Sequence, residues 1–201
     1  MRRLFLSADH IFTQDLPNPH QEEQVGAAQK RCARDASVLI LLMDDAEPSV
    51  LLTRRAEGIR YGGHQVFPGG LRDDEDASAQ VAMFRELDEE IGLAAEDISI
   101  LGRFADYYTH TGYRIAAFVG TAAPPVTVSL NAAEVAAVSY VPLRAFCDAS
   151  RYELKVRSQS PRRANFHLTF NDIHITGPTI SLLISLYQAL ARNAGPNGSS
   201  L

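Results

Sequence analysis

The sequence predicts an α/β (α+β) fold in which a mixed β-sheet is sandwiched between helices. Three observations lead there. Short apolar runs with turn chemistry between them recur along most of the chain, as buried strands do. A helical segment at about 77–91 stands between two groups of these runs, and a second apolar-faced helical segment follows the last of them. Strands on both sides of a central helix, closed by another helix, pack as a sheet between helical layers.

Each element can be justified in order. Residues 1–35 read as an N-terminal extension packed on the domain, with Pro17, Asn18 and Pro19 breaking a helical stretch at about 7–15. The apolar runs at 38–43 and 50–53 are separated by Asp44, Asp45, Ala46, Glu47 and Pro48, which predicts two buried strands joined as a hairpin. A glycine-rich stretch follows from Tyr61 to Gly70. Asp76 is placed to cap the helix at about 77–91, and Gly92 to end it. Strands are predicted at 98–101, 113–119, 126–130 and 135–141, and again around 152–156, 165–170 and 173–176. The final helix, 178–192, carries Ile180, Leu183, Tyr187 and Leu190 on one face. Residues 36–193 are therefore expected to form one domain, with 194–201 as a disordered tail.

Composition narrows the function classes. The 201 residues are 46% apolar, 21% charged and 8% aromatic, which suits a globular domain with a sizeable core. Net charge is −5, and the 19 Lys and Arg residues are scattered. A long nucleic-acid ligand would leave a basic footprint, so none is expected. The longest apolar run is too short to span a bilayer, and the first residues lack the apolar core of a secretion signal. No membrane partner is expected, and the protein reads as cytoplasmic. Cys32 and Cys147 have no zinc-site spacing and read as two buried free thiols in a reducing compartment.

The chemistry concentrates in Arg85-Glu-Leu-Asp-Glu-Glu-Ile-Gly-Leu93. At 100° per residue, Val81, Phe84, Leu87 and Ile91 fall on one side, and Glu86, Glu89 and Glu90 cluster roughly opposite. Most charge runs are solvated faces. Here, however, like charges three and four residues apart oppose the helix by about 0.2–0.5 kcal/mol per pair. Glu89 and Glu90 also sit in the last turn, where the macrodipole disfavours them by roughly 0.3–1 kcal/mol. A hard divalent cation would remove both penalties, since Mg²⁺ takes oxygen ligands and joins a few carboxylates to substrate phosphates.

The segment resembles the Nudix box, G-x5-E-x7-R-E-U-x-E-E-x-G-U, where U is bulky and aliphatic. Arg85, Glu86, Leu87, Glu89, Glu90, Gly92 and Leu93 match its second half, and Gly70 matches its opening glycine. The first half departs from it: the spacing from Gly70 to Arg85 is one residue longer, and Asp76 fills the acidic position. The coenzyme A pyrophosphatase-like branch of the family is similar in both respects. Upstream, Leu51-Leu-Thr-Arg-Arg55, Ile59-Arg60, Gln65-Val66 and Phe67-Pro-Gly-Gly70 resemble that branch's LLTxRxxxxRxHxGQVxFPGG. Gly62-Gly63-His64 exchanges or shifts the histidine and glycine, and one residue before Phe67 is missing. Downstream, Thr111 to Arg114, Glu134-Val135, Val141 to Leu143 and Gly177 to Thr179 extend the resemblance, which runs from about 37 to 190.

The resemblance implies a Nudix fold and hydrolysis of a diphosphate bond in a small nucleotide substrate. It implies Mg²⁺ or Mn²⁺ held by Glu86 and Glu90, with Glu89 as a third or water-mediated ligand and the Gly70 carbonyl within reach. Arg85 becomes an orienting residue, paired with Asp76 or a helix carboxylate. Glu86 and Glu134 are the candidate bases. Coenzyme A or its acyl esters are the implied substrates, giving 3′,5′-ADP and 4′-phosphopantetheine. ADP-ribose, NADH or dinucleoside polyphosphates are the alternative, and a non-catalytic binding module is a third reading. Arg54, Arg55, Arg60 and Arg114 are candidate phosphate contacts, because guanidinium binds phosphate oxygens in a bidentate way. His64, in the glycine-rich loop, is a further candidate contact. Relatives that dimerise leave room for a homodimer.

Overall fold

The computed structural model describes residues 25–146, 148–156 and 164–193. The helical stretch at 7–15, Cys147 and the tail at 194–201 lie outside them. The described residues up to Val141 belong to one compact unit and those from Pro142 to another.

The first unit opens with α1 (Ala27–Arg31) and is built on a seven-stranded sheet. Its centre is β1 (Arg34–Met43), whose apolar run is so deeply placed that Leu39, Ile40 and Leu41 are all 0% exposed. Burial of consecutive residues covers both faces of the strand, which accounts for a continuous apolar run where a half-buried strand would alternate. Along one edge β1 pairs in parallel with β6 (Tyr113–Ala122), from Arg34↔Tyr113 to Met43↔Ala122. The other edge is shared. Ala36 to Val38 pair antiparallel with β4 (Gly69–Leu71), and Leu42 and Met43 pair with β2 (Ser49–Arg55). The expected hairpin of the first two runs is therefore present. β3 (Gln65–Val66) and β7 (Val135–Pro142) pair with β2, and β5 (Ser99–Tyr108) pairs with β6.

The helix that bears the acidic motif, α2, spans Ala79–Ile91. Its N-cap is Ser78, whose hydroxyl accepts from the Val81 amide at 3.2 Å, and not Asp76. Gly92 ends it in the left-handed conformation at φ 63°, as its position predicted. The buried stripe is Met83, Leu87 and Ile91, at spacings of four, packed in one cluster with Leu39, Leu41, Met43 and Phe118. Val81, expected on that face, is 46% exposed, and Ala82 is buried instead.

Residues 126–130 are not a strand. Val126 and Val128 do pack against the core cluster, which explains their alternation. Their stretch follows Pro124 and Pro125, and its amides serve the helix. The Ser129 amide donates to the Ile91 carbonyl at 2.7 Å and that of Asn131 to the Glu90 carbonyl at 3.0 Å. These carbonyls at the end of α2 have no partner within the helix, so the loop satisfies groups that a sheet ladder would have left open.

The second unit holds α3 (Leu143–Phe146), a 3₁₀ turn at Ala149–Arg151, an antiparallel sheet in the order β10–β9–β8, and α4 (Gly177–Asn193). The strands are β8 (Tyr152–Val156), β9 (Ala164–Phe170) and β10 (Ile173–Thr176). Ile180, Leu183, Ile184 and Tyr187 of α4 are buried, so the predicted apolar face is the packed one over these residues; the Leu190 side chain lies outside the described ones. Among the described residues, no helix is long and apolar enough to cross a membrane. Cys32, expected to be buried, is exposed just beyond α1, a five-residue helix with no buried residue of its own.

Candidate active site

The site is assembled where β4 runs beside α2. Two glycines make the approach possible. Gly69 has φ 134°, and a Cβ there would collide with the Ser37 carbonyl of β1. A Cβ on Gly70 would collide with the Glu86 carboxylate. The doublet therefore lets the strand lie close to β1 and leaves room for Glu86 above it.

Glu90 is 2% exposed, although the sequence places it with solvated neighbours. Its Oε2 accepts from the Gly69 amide at 3.0 Å, and its Oε1 lies 4.0 Å from the Arg55 guanidinium. Burial pushes its pKa up to about 7; the Gly69 hydrogen bond and Arg55 oppose that rise, and the charges of Glu86 and Glu134 add to it. Glu86 is raised for the same leading reason, burial, against the pull of Arg85. Glu89 is exposed.

Arg85 organises the acidic end. It donates to both oxygens of Asp76 at 3.2 and 2.9 Å, to the Leu71 carbonyl at 2.9 Å, to Glu86 Oε1 at 2.9 Å and to Glu89 Oε2 at 3.0 Å. The hydrogen bond from Arg85 holds Asp76 below the usual carboxylate range and raises Arg85 in turn. Asp76 also accepts from the Asp73 amide, closing the loop between β4 and α2. The aspartate at the shifted acidic position is thus the anchor for the arginine, not the helix cap.

Glu134 reaches the same region from the loop before β7. Asn131 donates to its carboxylate at 3.2 Å, while the Asn131 amide is bound to the end of α2. Sequence reasoning passed over Asn131 and the Gly69 amide. Both left a signal: a three-residue Asn-to-Glu spacing that closes a turn, and a glycine doublet ahead of an acidic helix.

The predicted phosphate contacts divide. The Arg55 amide and carbonyl bond to His64 and Gly63, and its Nε donates to the Arg60 carbonyl at 3.1 Å, so it braces the glycine-rich loop while facing Glu90. Arg60 stacks on Tyr61 and Tyr113 and donates to both hydroxyls, at 3.0 and 2.7 Å. His64 lies beside Tyr61, with ring centroids 5.8 Å apart. Arg54 is 3.7 Å from Glu57. The structure does not bring Arg114 to this group. Successive residues of a strand point to opposite faces, and Tyr113 is the one that meets Arg60; Arg114 instead donates to Asp35 at 2.7 Å.

Among the described residues, no three Asp, Glu, His or Cys side chains form a cage for an ion by themselves. Mg²⁺ does not need one, since it commonly takes one or two carboxylates and fills its shell with water and substrate phosphate. The donor set fits such an ion. Two carboxylates raised chiefly by burial, with neighbouring carboxylates adding to the rise, stand beside a residue whose missing side chain keeps one of them close.

This fold and acidic helix define a hydrolase of the Nudix type. Residues 33–162 match the NUDIX domain. The chain is 31% identical over 157 residues to the Nudix hydrolase NudL of Photorhabdus laumondii, covering 77% of this chain and 84% of that protein. It is also 31% identical over 160 residues to the NudL of Yersinia pestis, covering 79% and 80%. The MutT protein from Methanosarcina mazei shares the fold at a TM-score of 0.51 and 18% identity, over 81% of this chain and 95% of that one. The chain belongs to the Nudix hydrolase family, whose members generally need a divalent metal ion.

Proposed function

We propose that the protein hydrolyses a diphosphate bond in a nucleoside-diphosphate-linked small molecule, with coenzyme A or acyl-coenzyme A as substrate and 3′,5′-ADP and 4′-phosphopantetheine as products. The observation that carries this reading is the buried Glu90 beside Glu86, with the Gly69 amide on one carboxylate oxygen and Arg55 facing the other. Glu86 and Glu90 would hold Mg²⁺ or Mn²⁺, with Glu89 and the Gly70 carbonyl as further donors. When bound, such an ion neutralises phosphoryl oxygens and lowers the pKa of a bound water.

The chain's own groups do the rest. Arg85 fixes the rotamers of Glu86 and Glu89 through one guanidinium nitrogen, so that both carboxylates are oriented before substrate arrives. Arg55 faces the buried carboxylate and offers positive charge to a diphosphate placed there. Glu134, steadied by Asn131 and close enough to raise the Glu90 pKa, is positioned to accept a proton from attacking water. Glu86 is the other candidate base. Arg54, Arg60 and His64 supply contacts from the glycine-rich side.

One observation favours a second reading. The loop from Gly62 to Phe67 differs from the coenzyme A branch, and Arg60 within its reach is stacked between tyrosines. That geometry suits ADP-ribose, NADH or a dinucleoside polyphosphate. The test is turnover of a panel with Mg²⁺ or Mn²⁺: coenzyme A, acyl-coenzyme A, ADP-ribose, NADH, diadenosine polyphosphates and nucleoside triphosphates. Release of 3′,5′-ADP from coenzyme A as the best substrate supports the first reading. A better rate on another diphosphate moves the assignment to that compound, and no turnover of any member contradicts both.

A further inference from the structure

A second cluster of charge lies at the other end of α2. A cleft of about 250 Å³ is lined by Asp35, Ser37, Arg72, Ser78, Arg103 and Arg114, with small residues between them. None of the helix carboxylates or Glu134 lines it. Neighbouring strands present its floor in register: Asp35 pairs with Arg114 and Ser37 with Ala116, so all four share one face of the sheet.

Three features point to an anion. First, three guanidinium groups converge on the cleft: Arg103 pairs with Asp106, Arg114 with Asp35, and Arg72 is held by the Asp76 carbonyl without an ion pair to a lining carboxylate among the described residues. Each arginine has donors to spare. Arg72 directs Nε and Nη2 to the Asp76 carbonyl, Arg103 directs Nε and Nη2 to Asp106, and Arg114 directs Nη2 to Asp35 and also bonds Tyr108. Second, the first turn of α2 opens here. The Ser78 hydroxyl caps the Val81 amide, and the two preceding helical amides, of Ala79 and Gln80, have no acceptor carbonyl within the helix. Third, Ser37 is 1% exposed and its hydroxyl has no hydrogen-bond partner among the described residues. A buried hydroxyl left unsatisfied is costly, and one that lines a cationic cleft has an evident use.

We propose that this cleft is an oxyanion site, taking a phosphate group on Arg72, Arg103, Arg114, the Ser37 hydroxyl and the start of α2. None of the proposed catalytic carboxylates lines it, and it does not depend on which diphosphate is cleaved. The shared ligand chemistry is a phosphate oxyanion, either the free ion or the phosphate of a nucleotide.

The experiment titrates the full chain, without divalent metal, with inorganic phosphate and in parallel with AMP, read by calorimetry and by the shift in Tm. The expected result is saturable binding that Arg103→Ala weakens at least about tenfold, the scale of one charge-assisted hydrogen bond, and that Glu90→Gln does not weaken. Ser37→Ala supplies a second reading that does not risk the fold. It should raise Tm without phosphate, because it removes an unsatisfied hydroxyl, and should shrink the Tm shift that phosphate produces. Equal affinity for both probes assigns the site to the free ion, and tighter AMP binding assigns it to a nucleotide; both keep it. Binding that is absent, or unmoved by both Arg103→Ala and Ser37→Ala, overturns the proposal.

Discussion

The two ends of α2 differ in what is gathered beside them. At the C-terminal end, where the macrodipole is negative, Glu86, Glu89 and Glu90 gather with Glu134 nearby. At the N-terminal end, where it is positive, Arg72, Arg103 and Arg114 line a cleft. A helix optimised only for stability would not keep Glu89 and Glu90 in its last turn, at about 0.3–1 kcal/mol per charge, with no basic residue there to offset them. The C-terminal carboxylates therefore present an excess that a cation would relieve, while the arginines of the cleft are each engaged by carboxylates or a carbonyl and offer their remaining donors. The ends also differ in depth. The acidic end has a carboxylate fully withdrawn from water, whereas Arg103 and Arg114 are 47% and 39% exposed. Burial fixes geometry, and a reacting centre needs that more than an ion-binding cleft does.

Substitutions can break or sharpen this contrast. The largest effect is expected from Glu86→Gln, which should cut turnover by at least about a hundredfold, because a metal ligand supplies several kcal/mol of transition-state stabilisation. Steady-state kinetics checks it, with circular dichroism to show that the fold survives. Leu87→Ala, at the 0%-exposed middle of the helix, should cost about 2–5 kcal/mol in chemical denaturation. It should weaken both ends together, since neither is held without the packed stripe.

A pH experiment separates the ends. Glu90 titrates near 7 in the folded protein, above its ordinary 4.5, so its protonated form is the one the fold prefers. Stability linked to it is fully present below about 4.5 and is lost as pH rises through about 7. Up to roughly 3 kcal/mol of metal-free stability should disappear across that window. Glu90→Gln should flatten the slope, and an unchanged slope would place the titration elsewhere. Ser78→Ala should have the smallest effect, about 1 kcal/mol from loss of the cap, and should leave the acidic end's turnover intact.

Much of this was legible in the chain. The apolar runs at 38–43 and 50–53 marked a central strand and its hairpin partner because burial on both faces leaves no other composition. The spacing of Glu86, Glu89 and Glu90 marked the acidic end because α-helical periodicity is fixed. What periodicity could not give is depth. Helical angles put Glu90 with Glu89, yet one is buried and the other exposed, since the position of β4 and the Gly69 amide decides the difference. Residues 126–130 misled for a related reason: alternation reports which side chains are covered, not where the amides go. Arg72, Arg103 and Ser37 come together only through strand register, which no local window displays.

The most direct test of the central claim is Mn²⁺ binding, followed by electron paramagnetic resonance on the wild-type chain and on Glu86→Gln and Glu90→Gln. Diphosphate turnover would be measured on the same samples. The account predicts that wild type binds Mn²⁺, that each substitution weakens binding at least about tenfold, and that turnover falls with it. Unchanged Mn²⁺ affinity in both variants, with turnover within about threefold of wild type, would contradict it.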